Sequence, residues 1–452
     1  MPDHATRLPS RVLWGVIAVG FGVMFLSSSV KGAYQVYFRD LADLFDMGRG
    51  QFALTGALFG LVLGLVSPVV GAICDRYGPY RSMISGAAAA ALAFALLALF
   101  DSFPMFLLAY GVLAAYALAA MTFVPMGVWI DRVFSQRQKG LAYAAISNGV
   151  AIGFMLLSPL WVWFNGWLQW SVLAGWLAVT FLLAVTLPLL WARRRLPVGH
   201  ASPPVSQASN ASSQADSLSH HIRQPVFMVL AISFAGCGSS MAFIDLHFVP
   251  LMQERIDAGL VASAGITGFC GRDLSETLLA GDLFSPVAVS LSVLGAFELA
   301  GALAVGYLAG RGRPALLLAA LYGLRTLILV SLAVNQSATS FLFFSAIFGL
   351  TYMGTVILTS LLCLQCYGAA IKGRMFGLLF TIHQLAVFTT AYLGGLARDP
   401  TGSYTATTLG VAAVCLMSVM AALALHPVLR QQQQTHTIGR AAPGSESGTG
   451  SL

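Results

Sequence analysis

The sequence predicts an all-α membrane protein, with twelve transmembrane helices arranged as two pseudo-symmetric six-helix bundles. Three observations lead there. Hydrophobic residues make up 58% of the chain and charged residues 9%, with a mean hydropathy of +0.80, whereas a soluble domain carries roughly 25% charged residues. The apolar residues come in runs of about 20, the length that crosses a hydrocarbon core about 30 Å thick. Basic residues gather in every second gap between those runs, as cytoplasmic loops do.

The runs fall at 12–38, 52–73, 83–100, 104–130, 141–164, 169–191, 226–250, 285–309, 315–334, 340–363, 375–396 and 405–426. In lipid each must satisfy its own backbone hydrogen bonds, which a helix does; all are too long for barrel strands. The first exceeds the apolar core of a signal peptide, so it is expected to remain as the first helix. Residues 196–224 are rich in Ser, Ala, Pro and Gln without apolar periodicity and read as a flexible cytoplasmic linker. The chain then divides into an N-terminal bundle (1–195), the linker (196–224), a C-terminal bundle (225–430) and a polar tail (431–452) expected to be disordered. The stretch 251–285 is a long outside connection, read as a surface insertion.

Charge orients the chain. Of the 24 Lys and Arg, only Arg39, Arg49, Arg255, Arg272 and Arg398 fall in outside segments, and Lys31 and Arg325 lie within runs; the rest mark the inside. Both termini are therefore expected in the cytoplasm of a cell inner membrane. The net charge of +7 is spread over these loops, which argues against nucleic acid. No nucleotide-binding loop, nucleophile elbow or metal cluster is visible, so neither an enzyme nor a cofactor or metal protein is expected. Cys363 and Cys366 form a CxxC without metal partners nearby, and the six cysteines make no disulfide framework.

The two halves echo each other. After the second run stands Gly71-Ala-Ile-Cys-Asp75-Arg76-Tyr-Gly78-Pro-Tyr-Arg81; after the eighth stands Gly306-Tyr-Leu-Ala-Gly310-Arg311-Gly-Arg313-Pro. Such a repeat is what a two-bundle transporter predicts. Gly71 would let two helices approach closely. Asp75 with Arg76, Arg81, Arg311 and Arg313 suits an inside-face charge network that holds the bundles together and breaks as they rock. The second copy has Gly310 where the acid would stand.

The first copy resembles the loop signature of the major facilitator superfamily. Further stretches resemble its monocarboxylate-transporter-like branch: Phe134-Ser-Gln-Arg137-Gln-Lys139-Gly140-Leu-Ala142 leading to Ser147-Asn148-Gly149 and Gly153; Phe348-Gly349-Leu-Thr-Tyr352 with Tyr367-Gly368 and Gly373; and Asp399-Pro-Thr401-Gly402-Ser403-Tyr404. The resemblance implies the major facilitator fold and proton-linked movement of a small organic anion, with substrate, protons and lipid as partners and a monomer as the expected state. An efflux carrier for amphipathic or cationic compounds is the alternative.

Ionisable groups at membrane depth cost about 2.5–3.5 kcal/mol on insertion scales, so they mark function. Lys31, Asp245, Glu298 and Arg325 qualify, and His247 and His383 join them because imidazole titrates near neutral pH. Aligned with the family, Glu298 stands where the carriers have an acid linked to proton coupling, and Ala302 replaces their arginine one turn later. Arg325 is then the expected cation for Glu298: burial favours the neutral acid, a nearby cation the carboxylate. Lys31 lies one position from the family's substrate-engaging lysine. Asp245 and His247 are expected near the outside mouth of one pathway. Asn148, Tyr34, Gln35, Tyr352, His383 and Gln384 are candidate pocket hydrogen-bonders.

Overall fold

The computed structural model describes residues 10–134, 136–195, 221–259, 285–309 and 313–441. Among them are twelve helices long and apolar enough to cross a membrane. The first six are α1 (Arg11–Leu44), α2 (Arg49–Cys74), α3 (Pro79–Leu99), α4 (Phe103–Ile130), α5 (Leu141–Asn165) and α6 (Trp170–Arg195). The second six are α7 (Pro225–Asp257), α8 (Pro286–Ala309), α9 (Pro314–Val334), α10 (Ala338–Tyr367), α11 (Met375–Thr401) and α12 (Thr405–Leu425). The linker 196–220, the insertion 260–284 and the repeat residues Gly310 and Arg311 lie outside the described residues.

Local chemistry sets the boundaries. Pro79, Pro225 and Pro314 open α3, α7 and α9, where a missing N–H is no loss and the fixed φ suits a helix. Gly78 makes the α2–α3 turn at φ +85° and its N–H bonds Cys74 O at 2.9 Å. Gly402 ends α11 in the left-handed region and donates to Arg398 O at 2.8 Å. Two helices outrun their apolar stretch. α1 reaches Leu44 and α7 reaches Asp257, because the polar residues added there have partners: Arg39 pairs with Asp257, and Glu254 with Arg398 at 2.8 Å. Helical backbone also continues from Thr405 to Ala441, past position 430 where the tail was expected to begin; Gln and Ala, good helix formers, supply much of that extension. Residues 442–452 lie outside the described ones.

Helix is unbroken from Ala338 to Thr401, which would be about 96 Å if straight, three times a bilayer core. It folds back instead. His247 and Phe248, neighbours on α7, touch α11 at Thr390 O (3.3 Å) and α10 at Phe341 (ring centroids 6.0 Å apart). The start of α10 thus lies beside the end of α11, and the two run antiparallel.

Within each bundle helices meet at small residues, as expected where lipid removes the hydrophobic drive between them. Gly149 and Gly153 of α5 lie on the backbone of α1 at Phe21 and Phe25. Gly238 of α7 lies on α11 at His383 in the corresponding pair of the other bundle. Gly301 of α8 and Gly349 of α10 press on Leu350 and Leu294. Gly349→Val drives a side chain into Leu294 O and is expected to cost about 1–3 kcal/mol, read as a lower melting temperature in detergent; an unchanged melt would remove this contact from the account.

The bundles touch each other along two seams. A Cβ added at Gly295 of α8 would lie 2.8 Å from Met155 N of α5, and Ser292 Oγ donates to Met155 O at 2.9 Å. A Cβ at Gly60 or Gly64 of α2 would lie 2.8 Å from Val387 or Gln384 of α11.

Candidate functional site

The charged centre sits between the bundles. Lys31 Nζ of α1 donates to Asp245 Oδ2 of α7 at 2.6 Å, with side-chain exposures of 30% and 12%. Each bundle supplies one member. Tyr352 OH of α10 points at the other oxygen, Asp245 Oδ1, at 3.5 Å. Gln35, one position past Tyr34 on α1, donates its amide to Ile244 O beside the pair.

Asp245 lies in an irregularity of α7. Residues Phe243–Phe248 wind as a π-helix, which inserts an extra residue per turn and recurs at functional sites. Asp245 faces Lys31, whereas His247 points the other way. His247 is fully buried, its Nε2 near Thr390 O at 3.3 Å and its ring 5.5 Å from Tyr404. The two do not line one pathway, because side chains two residues apart on a helix diverge. His383 is also enclosed, its ring 4.7 Å from Phe234 and 5.5 Å from Phe380.

Glu298 of α8 is 6% exposed and lies within electrostatic reach of Asp245 and Lys31. Among the described residues its carboxyl makes no hydrogen bond or ion pair. Arg325 is not its partner. Arg325, on α9 and fully buried, donates to Thr351 Oγ1 at 2.9 Å, Ser240 Oγ at 2.7 Å, Thr351 O at 2.8 Å, Tyr352 O at 3.0 Å and Thr355 Oγ1 at 3.2 Å. Its guanidinium also lies 4.8 Å from the Phe348 ring centroid. The acceptors are all neutral. Tyr34 bonds Thr55 at 2.7 Å and stacks on Tyr110 at 4.1 Å, forming the N-bundle wall. Asn148 is half-buried on α5.

The ends of the bundles differ. At the α1–α2 end they are joined: Arg39 to Asp257, Gln253 Nε2 to Val36 O at 3.2 Å, and Gly50 N–H to Asp399 Oδ2 at 3.0 Å. Gly50 also lies directly on the α11 backbone at Gly395 and Leu396. At the α2–α3 end, a Cβ added at Gly306 or Gly377 meets nothing within 4 Å, and at Gly71 only Val124 of its own bundle at 4.0 Å. Among the described residues Gly71 therefore makes no close helix approach. Arg76 and Arg81 are exposed, with guanidinium groups 5.1 and 5.9 Å from the Tyr77 ring. Arg313 is exposed, and the Asp75 side chain lies outside the described residues. The bundles are thus joined across the α1–α2 end, above the charged centre.

These joining residues were missed in the sequence, where Arg39 read only as an outside positive. A signal was present: acids at 257 and 399 stand at the ends of α7 and α11, on the same side as Arg39.

The Major Facilitator Superfamily profile matches residues 16–391. The uncharacterized MFS-type transporter YcxA of Bacillus subtilis is 27% identical over 445 residues, covering 95% of this chain and 99% of its own length. Monocarboxylate transporter 11 of Homo sapiens is 27% identical over 414 residues, covering 88% and 79%. Among solved structures, the nucleoside transporter NupG superposes with a TM-score of 0.68 at 12% identity, over 91% of this chain and 99% of that one. A bacterial homolog of the human lysosomal transporter Spinster, inward-facing and unoccupied, gives 0.60 at 14% identity, over 98% and 100%. At these identities the solved structures share the fold.

Proposed function

The chain belongs to the Major Facilitator Superfamily, and from that premise we propose that it carries a small organic anion, a monocarboxylate foremost, together with a proton by alternating access. It is a membrane transporter rather than an enzyme. The observation that carries the reading is the Lys31–Asp245 pair, a cation from one bundle held by an acid from the other. With the positively charged α2–α3 end placed at the cytoplasm, the contacts that join the bundles at the α1–α2 end close the centre from the outside.

A carboxylate arriving at Lys31 offers what Asp245 already gives. A partly exposed ion pair contributes about 1 kcal/mol or less, so the exchange of one carboxylate for another costs little. Once Lys31 holds the substrate, the two bundles are bridged through the solute. Glu298 is the proton carrier in this scheme: a buried carboxyl, free of hydrogen bonds among the described residues, with an acid and a base in reach. A proton on Glu298 offsets the charge that the anion brings, and the loaded centre can be enclosed without a net added charge.

The resemblance to monocarboxylate transporters supports the substrate class. Purified protein in proteoliposomes, with labelled lactate, pyruvate, benzoate and longer carboxylates under an imposed pH gradient, tests the reading. Gradient-dependent uptake of at least one is expected; no gradient-dependent flux of any small anion would sink it. Efflux of a cationic compound is the second reading, favoured by two acids against one lysine at the centre. It predicts drug hypersensitivity of a deletion strain, with carboxylate flux absent.

A further inference from the structure

Arg325 is a full positive charge in the interior of the C-terminal bundle, 0% exposed, with no carboxylate on it among the described residues. Its donors end on hydroxyls, carbonyls and the Cys237 thiol, none of them a carboxylate. A buried ion without a counter-ion is costly, by several kcal/mol even after relaxation. Hydroxyls and carbonyls solvate such a charge; they do not neutralise it. The Phe348 ring, at 4.8 Å, adds only cation–π attraction.

Its place identifies what it faces. Arg325 binds Tyr352 O at 3.0 Å, and the hydroxyl of the same Tyr352 reaches Asp245 at 3.5 Å. It binds Ser240 Oγ at 2.7 Å, five positions before Asp245 on α7. Arg325 is therefore one side chain behind the Lys31–Asp245 centre, with no route to touch a solute there. Asp245 is spent on Lys31 in the empty carrier, so the positive potential of Arg325 is left over for the bound state.

We propose that Arg325 is a specificity-determining residue: it makes the central site prefer an anion, acting through the field of its unneutralised charge and not by contact. The role of Lys31 is to bind the carboxylate group; the role of Arg325 is to make that group's charge welcome. The inference rests on the anion reading above. A unit charge acting over about 10 Å at an effective dielectric constant of about 20 alters anion affinity roughly tenfold.

The test compares each carboxylate with its own primary amide, a neutral molecule of nearly the same shape. Binding to detergent-purified protein is read as the concentration dependence of the ligand-induced rise in melting temperature, over acetate, lactate, benzoate and phenylacetate and their amides. For any carboxylate that binds wild type, the acid-to-amide affinity ratio is expected to fall about tenfold in Arg325→Gln, which keeps hydrogen bonding and loses charge. It is expected to hold in Arg325→Lys, which keeps charge and loses the planar fork. An unchanged ratio in Arg325→Gln, or an equal fall in Arg325→Lys, overturns the inference while leaving anion transport standing. Should Arg325→Gln fail to fold, Arg325→Lys and Ser240→Ala decide it, since both keep the charge and a collapsed ratio in either overturns it. No carboxylate binding to wild type overturns the anion reading and this inference together.

Discussion

Glu298→Gln, reconstituted in proteoliposomes, exchanges substrate across the membrane but no longer accumulates it against a concentration gradient. The replacement is nearly isosteric and removes only the ability to take up a proton. One coupled proton per substrate makes a pH difference of one unit worth up to about tenfold accumulation, because one unit is about 1.36 kcal/mol. In the variant that ratio falls to about one, and the pH dependence of exchange flattens. Glu298 is 6% exposed and bonded to nothing among the described residues, so the variant breaks no contact and its folding should be normal. Accumulation at the wild-type level would make Glu298 a structural group.

Lys31→Ala has the second large effect. It leaves Asp245 and Glu298 facing an incoming carboxylate with no cation in contact range. Truncating one member of a paired charge costs about 2–5 kcal/mol, so anion affinity falls between thirty- and several-thousand-fold. Asp245→Asn moves the other way: Lys31 loses its internal competitor, and the half-saturating concentration drops by about fivefold, the equivalent of the pair's 1 kcal/mol. Turnover in Asp245→Asn should fall at the same time, because release then has no carboxylate waiting to reclaim the lysine. Tighter binding with slower turnover separates this role from a merely structural ion pair, whose loss would weaken both. Unaltered affinity in Asp245→Asn would end the competition scheme.

The fold was legible because its signal is local. Twelve apolar runs and loop arginines are each read within a few residues of themselves, and each span was located. The charged centre was legible as a set of residue types but not as pairs. Lys31 and Asp245 stand 214 positions apart, and nothing in either neighbourhood names the other. The sequence suggested Arg325 for Glu298 because both are ionisable residues in neighbouring spans. Hydrogen bonding decided otherwise: Ser240, Thr351 and Thr355, unremarkable in the sequence, with the Thr351 and Tyr352 carbonyls, engage all three guanidinium nitrogens. The π-helical stretch at Phe243–Phe248, which carries both Asp245 and His247, has no composition cue. The repeat arginines Arg76, Arg81 and Arg313 are exposed, and the side chain of the acid they were expected to meet, Asp75, lies outside the described residues.

At Gly50 against Gly395, and at Gly295 against Met155, the two bundles rest on bare backbone. Surfaces of this kind carry no side chains to disengage, and lipid tails replace a protein neighbour with little change in free energy. Rocking one half over the other then resembles the turning of a smooth bearing. Under the proposed alternating access, a handful of polar contacts, with one small solute among them, would then decide which arrangement is populated.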